Sequence, residues 1–300
     1  MLTRVALSFE SEFDYPLLEF NPSGSLLALS DKESKQTLVV EVSTGRYVRR
    51  REWDETLSFL LFVSEQTLLV GVAGHALLWD TQTDATEPFA DLEYISAAAR
   101  SPRGDYVALS GASLYLLDAL TREVRYRLKP SFHGQQSGLV SFSPDGRYVV
   151  CDSPDPEARS GGSSCVQYWD VGTGRKVRIF DAWGQGDPVI AFQPHGTAIA
   201  LAIDWELGIY SPDEVAPIAK YEPAIPMIAH LAFTPSGRHL EAVTYNGQYA
   251  RIEPWTGEVL EQVPPPEGQE TIAVAVSQAR RVAGLRKDAL LFWTLPAQER

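Results

Sequence analysis

The amino-acid sequence predicts an all-β fold of seven small antiparallel sheets. Three observations carry that prediction: a hairpin motif that recurs seven times, a second turn motif about 20 residues behind it, and a nearly constant spacing. The first motif is an apolar residue, Pro, Gly two residues later, then an apolar pair ending in a small residue. It reads FNPSGSLLA from Phe20 to Ala28, RSPRGDYVA from Arg100 to Ala108, FSPDGRYVV from Phe142 to Val150, FQPHGTAIA from Phe192 to Ala200 and FTPSGRHLE from Phe233 to Glu241. Two degenerate copies, LFVSEQTLL from Leu61 to Leu69 and AVSQARRVA from Ala275 to Ala283, fill the gaps.

Within the motif each residue has a backbone task. Asn21-Pro22-Ser23-Gly24 suits a type I turn, with Asn at the first position, Pro pre-set near φ −65° and Gly where φ turns positive. Ser101-Pro102-Arg103-Gly104 and Ser143-Pro144-Asp145-Gly146 repeat the arrangement. Apolar runs on both sides make each motif a hairpin of two buried strands.

The second motif is a strand ending in an aromatic residue or Asp, then Thr-Gly or a substitute, then another strand. Examples are VVEVSTGRYV from Val39 to Val48, LLWDTQTDAT from Leu77 to Thr86, YLLDALTREV from Tyr115 to Val124, YWDVGTGRKV from Tyr168 to Val177 and IEPWTGEVL from Ile252 to Leu260. Two hairpins per unit make four strands. Aligning Pro22, Val63, Pro102, Pro144, Pro194, Pro235 and Ser277 gives steps of 41, 39, 42, 50, 41 and 42 residues. A unit of about 40 residues is the length of a four-stranded propeller blade. The expected architecture is a seven-bladed β-propeller of four-stranded antiparallel blades, filling residues 1–300 as a single domain.

Closure is predicted as well. The last unit has room for three strands, ending at Leu290 to Trp293, while Thr3 to Phe9 forms an unpartnered strand ahead of the first hairpin. Val5, Leu7 and Phe9 are expected to complete the seventh blade from outside, which removes sheet edges that would recruit other chains.

On these motifs, and on the Trp-Asp endings at Trp79-Asp80 and Trp169-Asp170, the chain resembles the WD40-repeat propellers along its whole length. It lacks the Gly-His dipeptide that usually opens a repeat, and His133-Gly134 is reversed. The family's buried Asp-His-Ser-Trp network is therefore not expected, and apolar packing should hold the blades. Trp79, Trp169 and Trp293 share third-strand positions and read as wedges between sheets.

The family's strand order implies that the connections between blades and the loops between second and third strands share one face. These segments carry Tyr15, Trp53, Asp54, Tyr94, Trp183, Asp187, Trp205, Glu206 and Tyr245, a mixture of acids and large rings suited to a basic peptide or protein. The expected function is a non-catalytic protein-interaction scaffold with no cofactor. The alternative is a small-molecule or metal-dependent propeller enzyme with its site at the mouth of the central channel. That chemistry needs polar groups converging from several inner strands. Only Glu19 and His230 are strongly titratable there.

The remaining histidines, His75, His133, His195 and His239, fall at unrelated points of the repeat and offer no metal-ligand spacing. A net charge of −13 disfavours nucleic acid. The one basic cluster, Arg49-Arg50-Arg51, ends an outer strand, is followed by Glu52, Asp54 and Glu55, and reads as a solvated, self-neutralised turn. No apolar run reaches the roughly 20 residues that span a bilayer, and Thr3, Arg4, Ser8 and Glu10 interrupt any signal-peptide core. A cytoplasmic location is expected. Cys151 and Cys165 flank a Pro-, Gly- and Ser-rich insertion that accounts for the long step, and free thiols are the expectation in a reducing compartment.

Overall fold

In the computed structural model of the chain, the Pro-Gly motif folds as its residues dictate. Gly146 N–H donates to Ser143 O at 2.8 Å, with Gly146 at φ 73°. Ser143 Oγ accepts from Tyr148 N–H at 2.9 Å and donates to Asp145 Oδ1 at 2.6 Å. Asn21, at the corresponding position, accepts from Leu26 N–H at 2.9 Å. These polar residues are buried because they satisfy turn backbone that would otherwise lack partners.

The second motif is an Asx-type turn. Asp118 Oδ1 accepts from Leu120 N–H at 2.9 Å and Thr121 N–H at 2.8 Å, and Asp80 does the same for Gln82 and Thr83. Backbone bonds from Thr83 and Thr121 hold the Asp80 and Asp118 carboxyls below their ordinary range.

The structure describes residues 3–6, 16–31, 35–128, 138–154, 164–182, 188–214, 216–225, 227–265, 271–287 and 289–297. The hairpins assemble into seven four-stranded antiparallel sheets, a seven-bladed β-propeller. After β1 (Thr3–Ala6), the first blade is β2 (Pro16–Phe20), β3 (Leu26–Asp31), β4 (Gln36–Glu41) and β5 (Tyr47–Glu52). The second is β6 (Leu57–Phe62), β7 (Thr67–Val72), β8 (His75–Asp80) and β9 (Thr86–Pro88). The third is β10 (Ile95–Arg100), β11 (Tyr106–Gly111), β12 (Leu114–Asp118) and β13 (Val124–Leu128). The fourth is β14 (Val140–Phe142), β15 (Tyr148–Pro154), β16 (Ser164–Asp170) and β17 (Arg175–Ala182). The fifth is β18 (Val189–Phe192), β19 (Ile199–Ile203), β20 (Glu206–Tyr210) and β21 (Ala219–Tyr221). The sixth is β22 (Ile228–Phe233), β23 (Leu240–Thr244), β24 (Tyr249–Ile252) and β25 (Val259–Val263).

The seventh blade, β26 (Ala273–Val276), β27 (Arg281–Leu285) and β28 (Ala289–Thr294), is completed by β1. Val5 pairs with Leu290 as the sequence predicts, and Leu7 and Phe9 lie outside the described residues.

Both degenerate hairpins depart from the sequence alignment in the same way. Phe20 pairs with Leu27, seven residues on, whereas Phe62 pairs with Leu68 and Val276 with Val282, six on. Each turn is thus one residue shorter. Ser277 stands where Asn21 does, not where Pro22 does, because Arg280 N–H closes on Ser277 O at 2.9 Å with Arg280 at φ 61°.

The chain divides into two compact units, residues 1–93, 243–249 and 263–300 in one and 94–242 and 250–262 in the other. In the first, Phe20, Leu27 and Val40 pack on Ala283, Leu290 and Phe292. Trp79, wholly buried, is wedged between second-blade strands and Ala28 and Val39 of the first blade. In the second unit, Trp169 fills the corresponding seam against Ala108, Leu114 and Leu116. Each such buried aliphatic or aromatic side chain contributes about 1.5–3 kcal/mol of transfer free energy.

The arginine cluster lies along β5 and is committed to packing. Arg49 bonds the carbonyls of Thr81 and Gln82, and Arg51 bonds Asp84 through both carbonyl and carboxylate, at 2.7 and 2.8 Å. Arg50 alone has the expected neighbour, Glu52, at 3.7 Å.

Cys151 and Cys165 are buried and are not joined in a disulfide. Their register opposes Cys151 to Gln167 and Cys165 to Ser153, and burial pushes the Cys151 thiol up to about 12. The insertion at 155–163 and His133 lie outside the described residues. Among the described residues no helix is long and apolar enough to cross a membrane.

Candidate functional site

Simple up-and-down sheets put the loop between the second and third strands of each blade at the strand end where the inner strands begin. In the second unit that end carries Tyr94 and Trp205. Trp205 occupies a two-residue hairpin between β19 and β20, closed by the pair Ile203 and Glu206, with Asp204 at φ 50°. Such a turn leaves a large ring at its tip no wall to fold against, and Trp205 is 62% exposed. Glu206 bonds Lys220 at 2.5 Å, Glu222 is exposed, and Met227, on the connection leading to β22, is exposed too.

Tyr94 is 64% exposed and itself sits at φ 60°, a left-handed conformation costly for a residue with a Cβ. Gly111 makes the geometry possible. A Cβ there would stand 1.9 Å from Tyr94 O, so only glycine lets the two backbones approach. Backbone strain at an exposed ring is the kind of feature found at functional surfaces.

In the first unit Tyr245 is 40% exposed on the hairpin between β23 and β24, and its carbonyl accepts from Thr271 Oγ1. Asp54 is exposed, with its carbonyl 2.6 Å from Lys35 Nζ. Trp53 differs from the surface ring the sequence suggests. It is 8% exposed, its indole N–H donates to Thr37 Oγ1 at 2.9 Å, and it meets Trp79 edge-on at 5.6 Å beneath the Arg51 guanidinium at 4.6 Å. The connection after β5 is long enough for the ring to fold back into the seam between blades. Tyr15, Trp183 and Asp187 lie outside the described residues.

Sequence reasoning places Asp204 in an acidic loop but not in a left-handed turn, and does not single out Gly111 or Met227. An acid followed by an aromatic between two short apolar runs was the available signal for a tight hairpin with an exposed tip.

Two inner-strand ionisable groups are strongly shifted by burial. Burial raises Glu19 to about 8, against the lowering effect of the Phe62 N–H it accepts. Burial lowers His230 to about 4, opposed by the charge of Glu241. Among the described residues no group of three or more His, Cys, Asp and Glu side chains is placed to hold a metal ion. The sequence matches no protein-family model and no curated protein.

Proposed function

We propose that the protein is a non-catalytic docking platform, a WD40-like propeller that receives a basic protein or peptide. The observation that carries this reading is the exposure of Tyr94 and Trp205, at 64% and 62%, on strained connections at one strand end of the second unit, while Trp79 and Trp169 are sealed in seams at 0% and 5%. Large rings left in water on a rigid scaffold supply binding area at small entropic cost. Asp204 and Glu206 flank Trp205 in the chain, Glu222 follows Tyr221, which pairs with Leu207, and the chain carries a net charge of −13, which favours cationic partners.

The test replaces both rings, Tyr94→Ala with Trp205→Ala, and compares the proteins captured from the native cell by each form. Truncating two anchor rings is expected to weaken the genuine partner about 30-fold or more while melting temperature stays within about 2 °C of wild type. An unchanged partner set on an intact fold would refute the reading.

A further inference from the structure

At the opposite strand end, where the inner strands finish, first hairpins of neighbouring blades touch. In the first unit Asn21 Nδ2 donates to the Glu65 carboxylate at 2.7 Å, and Arg281 donates to Gly24 O at 3.0 Å. In the second, Gln193 Nε2 reaches Gly237 O at 3.4 Å. Between the fourth and fifth blades the seam is open instead. A cleft of about 320 Å³ separates the turn at 143–148 from that at 193–197, a volume in the range of small-ligand sites.

The lining combines aromatic rings and one carboxylate with two basic side chains, Arg147 and His195. Tyr148, Tyr168 and Phe192 contribute rings, with Tyr168 5.2 Å from Tyr148 and 6.0 Å from Phe192. Tyr168 is only 1% exposed, and its hydroxyl has no hydrogen-bond partner among the described residues. Burial, reinforced by nearby Tyr148 and Asp145, pushes that phenol well above its ordinary range and keeps it protonated.

Asp145 supplies charge. Burial would raise its carboxyl, but the bonds from Ser143 Oγ and Arg147 N–H outweigh it and keep the group ionised. Both bonds go to Oδ1, which leaves Oδ2 for a ligand. The rings already accept one cation. The Arg147 guanidinium lies 4.9 Å from the Tyr148 ring centroid and 3.6 Å from Asp170, and its charge acts on both Asp170 and Asp145.

We propose that this cleft binds an organic cation, an ammonium or guanidinium group, held by Asp145 Oδ2, by the faces of Tyr148 and Phe192 and by an N–H bond to the Tyr168 hydroxyl oxygen. The site stands apart from Tyr94 and Trp205, at the other strand end, and does not depend on the docking role assigned to them. A free amine and a basic side chain of a peptide share this chemistry.

The experiment records amide shifts of the isotope-labelled full chain during titration with agmatine, N-acetyl-arginine amide and, as the uncharged isostere, N-acetyl-citrulline amide. Saturable shifts confined to the cleft, at 143–148, 168 and 192–197, are expected with both cations or with the arginine amide alone. The first outcome assigns a small amine as the source and the second a peptide side chain. Citrulline amide should bind at least about 10-fold more weakly, in proportion to a lost charge-assisted contact. Tyr168→Phe, which keeps the ring, and Asp145→Asn, which keeps Oδ1, should each weaken the cation by about 3- to 30-fold. Citrulline amide binding equally well, shifts centred elsewhere, no saturable shift, or both variants at wild-type affinity would overturn the proposal and leave the reading of Tyr94 and Trp205 standing.

Discussion

Glu19 makes stability depend on pH in a direction opposite to most carboxylates. Its ordinary value of 4.5 rises to about 8 in the folded chain because burial penalises the charge. Folding therefore takes up a proton at this residue. The stability linked to that proton is complete below pH 4.5 and is lost as pH climbs through 8. Glu19→Gln, which cannot ionise, should match wild type near pH 4.5 and melt higher by several degrees, on the order of 5 °C, at pH 9. Parallel melting curves across that range would contradict the assignment. Single residues were also where sequence reading was weakest. Trp53 and Trp205 both follow strands and neighbour acids, yet one seals a seam and the other stands in water. The difference lies in the length of the connection and in Thr37 Oγ1, a partner 16 positions away that satisfies the Trp53 indole. Neither is visible in a local window.

At the scale of the element, turns were the most legible features, because Pro, Gly and Asp act on the backbone directly. The type I hairpins and the Asp-capped turns form where the motifs place them. The shortened turns at 63–66 and 277–280 were misaligned, since Arg280 occupies a glycine's conformation that sequence assigns to no arginine. The turn ending at Asp84 shows why such exceptions persist. Asp84 holds φ 65° where the first, fourth and sixth blades use glycine, but its Oδ1 accepts from the Trp79 indole and from Arg51, both at 2.8 Å. The indole bond is the main reason its carboxyl lies below the ordinary range. Asp84→Gly would relieve about 1 kcal/mol of left-handed strain and leave the N–H of a fully buried tryptophan without a partner, at about 1–3 kcal/mol. The consensus-restoring change is therefore expected to lower stability in urea denaturation by about 1 kcal/mol. A gain would mean that Trp79 finds another acceptor.

For the whole molecule, period decided what could be read. Seven recurrences near 40 residues specified seven blades, and a leading strand without a partner specified how the seventh is completed, as the Val5 and Leu290 pair shows. The cleft between the fourth and fifth blades was not legible, because it arises from two turns about 50 residues apart that fail to meet. The docking reading divides exposed apolar groups by strand end: Tyr94 and Trp205 lie where inner strands begin, whereas Leu120, 90% exposed, lies on the turn between β12 and β13 at the other end. The most direct measurement places a photo-crosslinking phenylalanine at position 205 or at position 120 in the full chain and exposes each to extract from the native cell. A discrete adduct from position 205 that disappears with rising salt, and none from position 120, is the expected result. Equal adducts from both positions, or an adduct from position 120 alone, would contradict the assignment of this strand end as the docking surface.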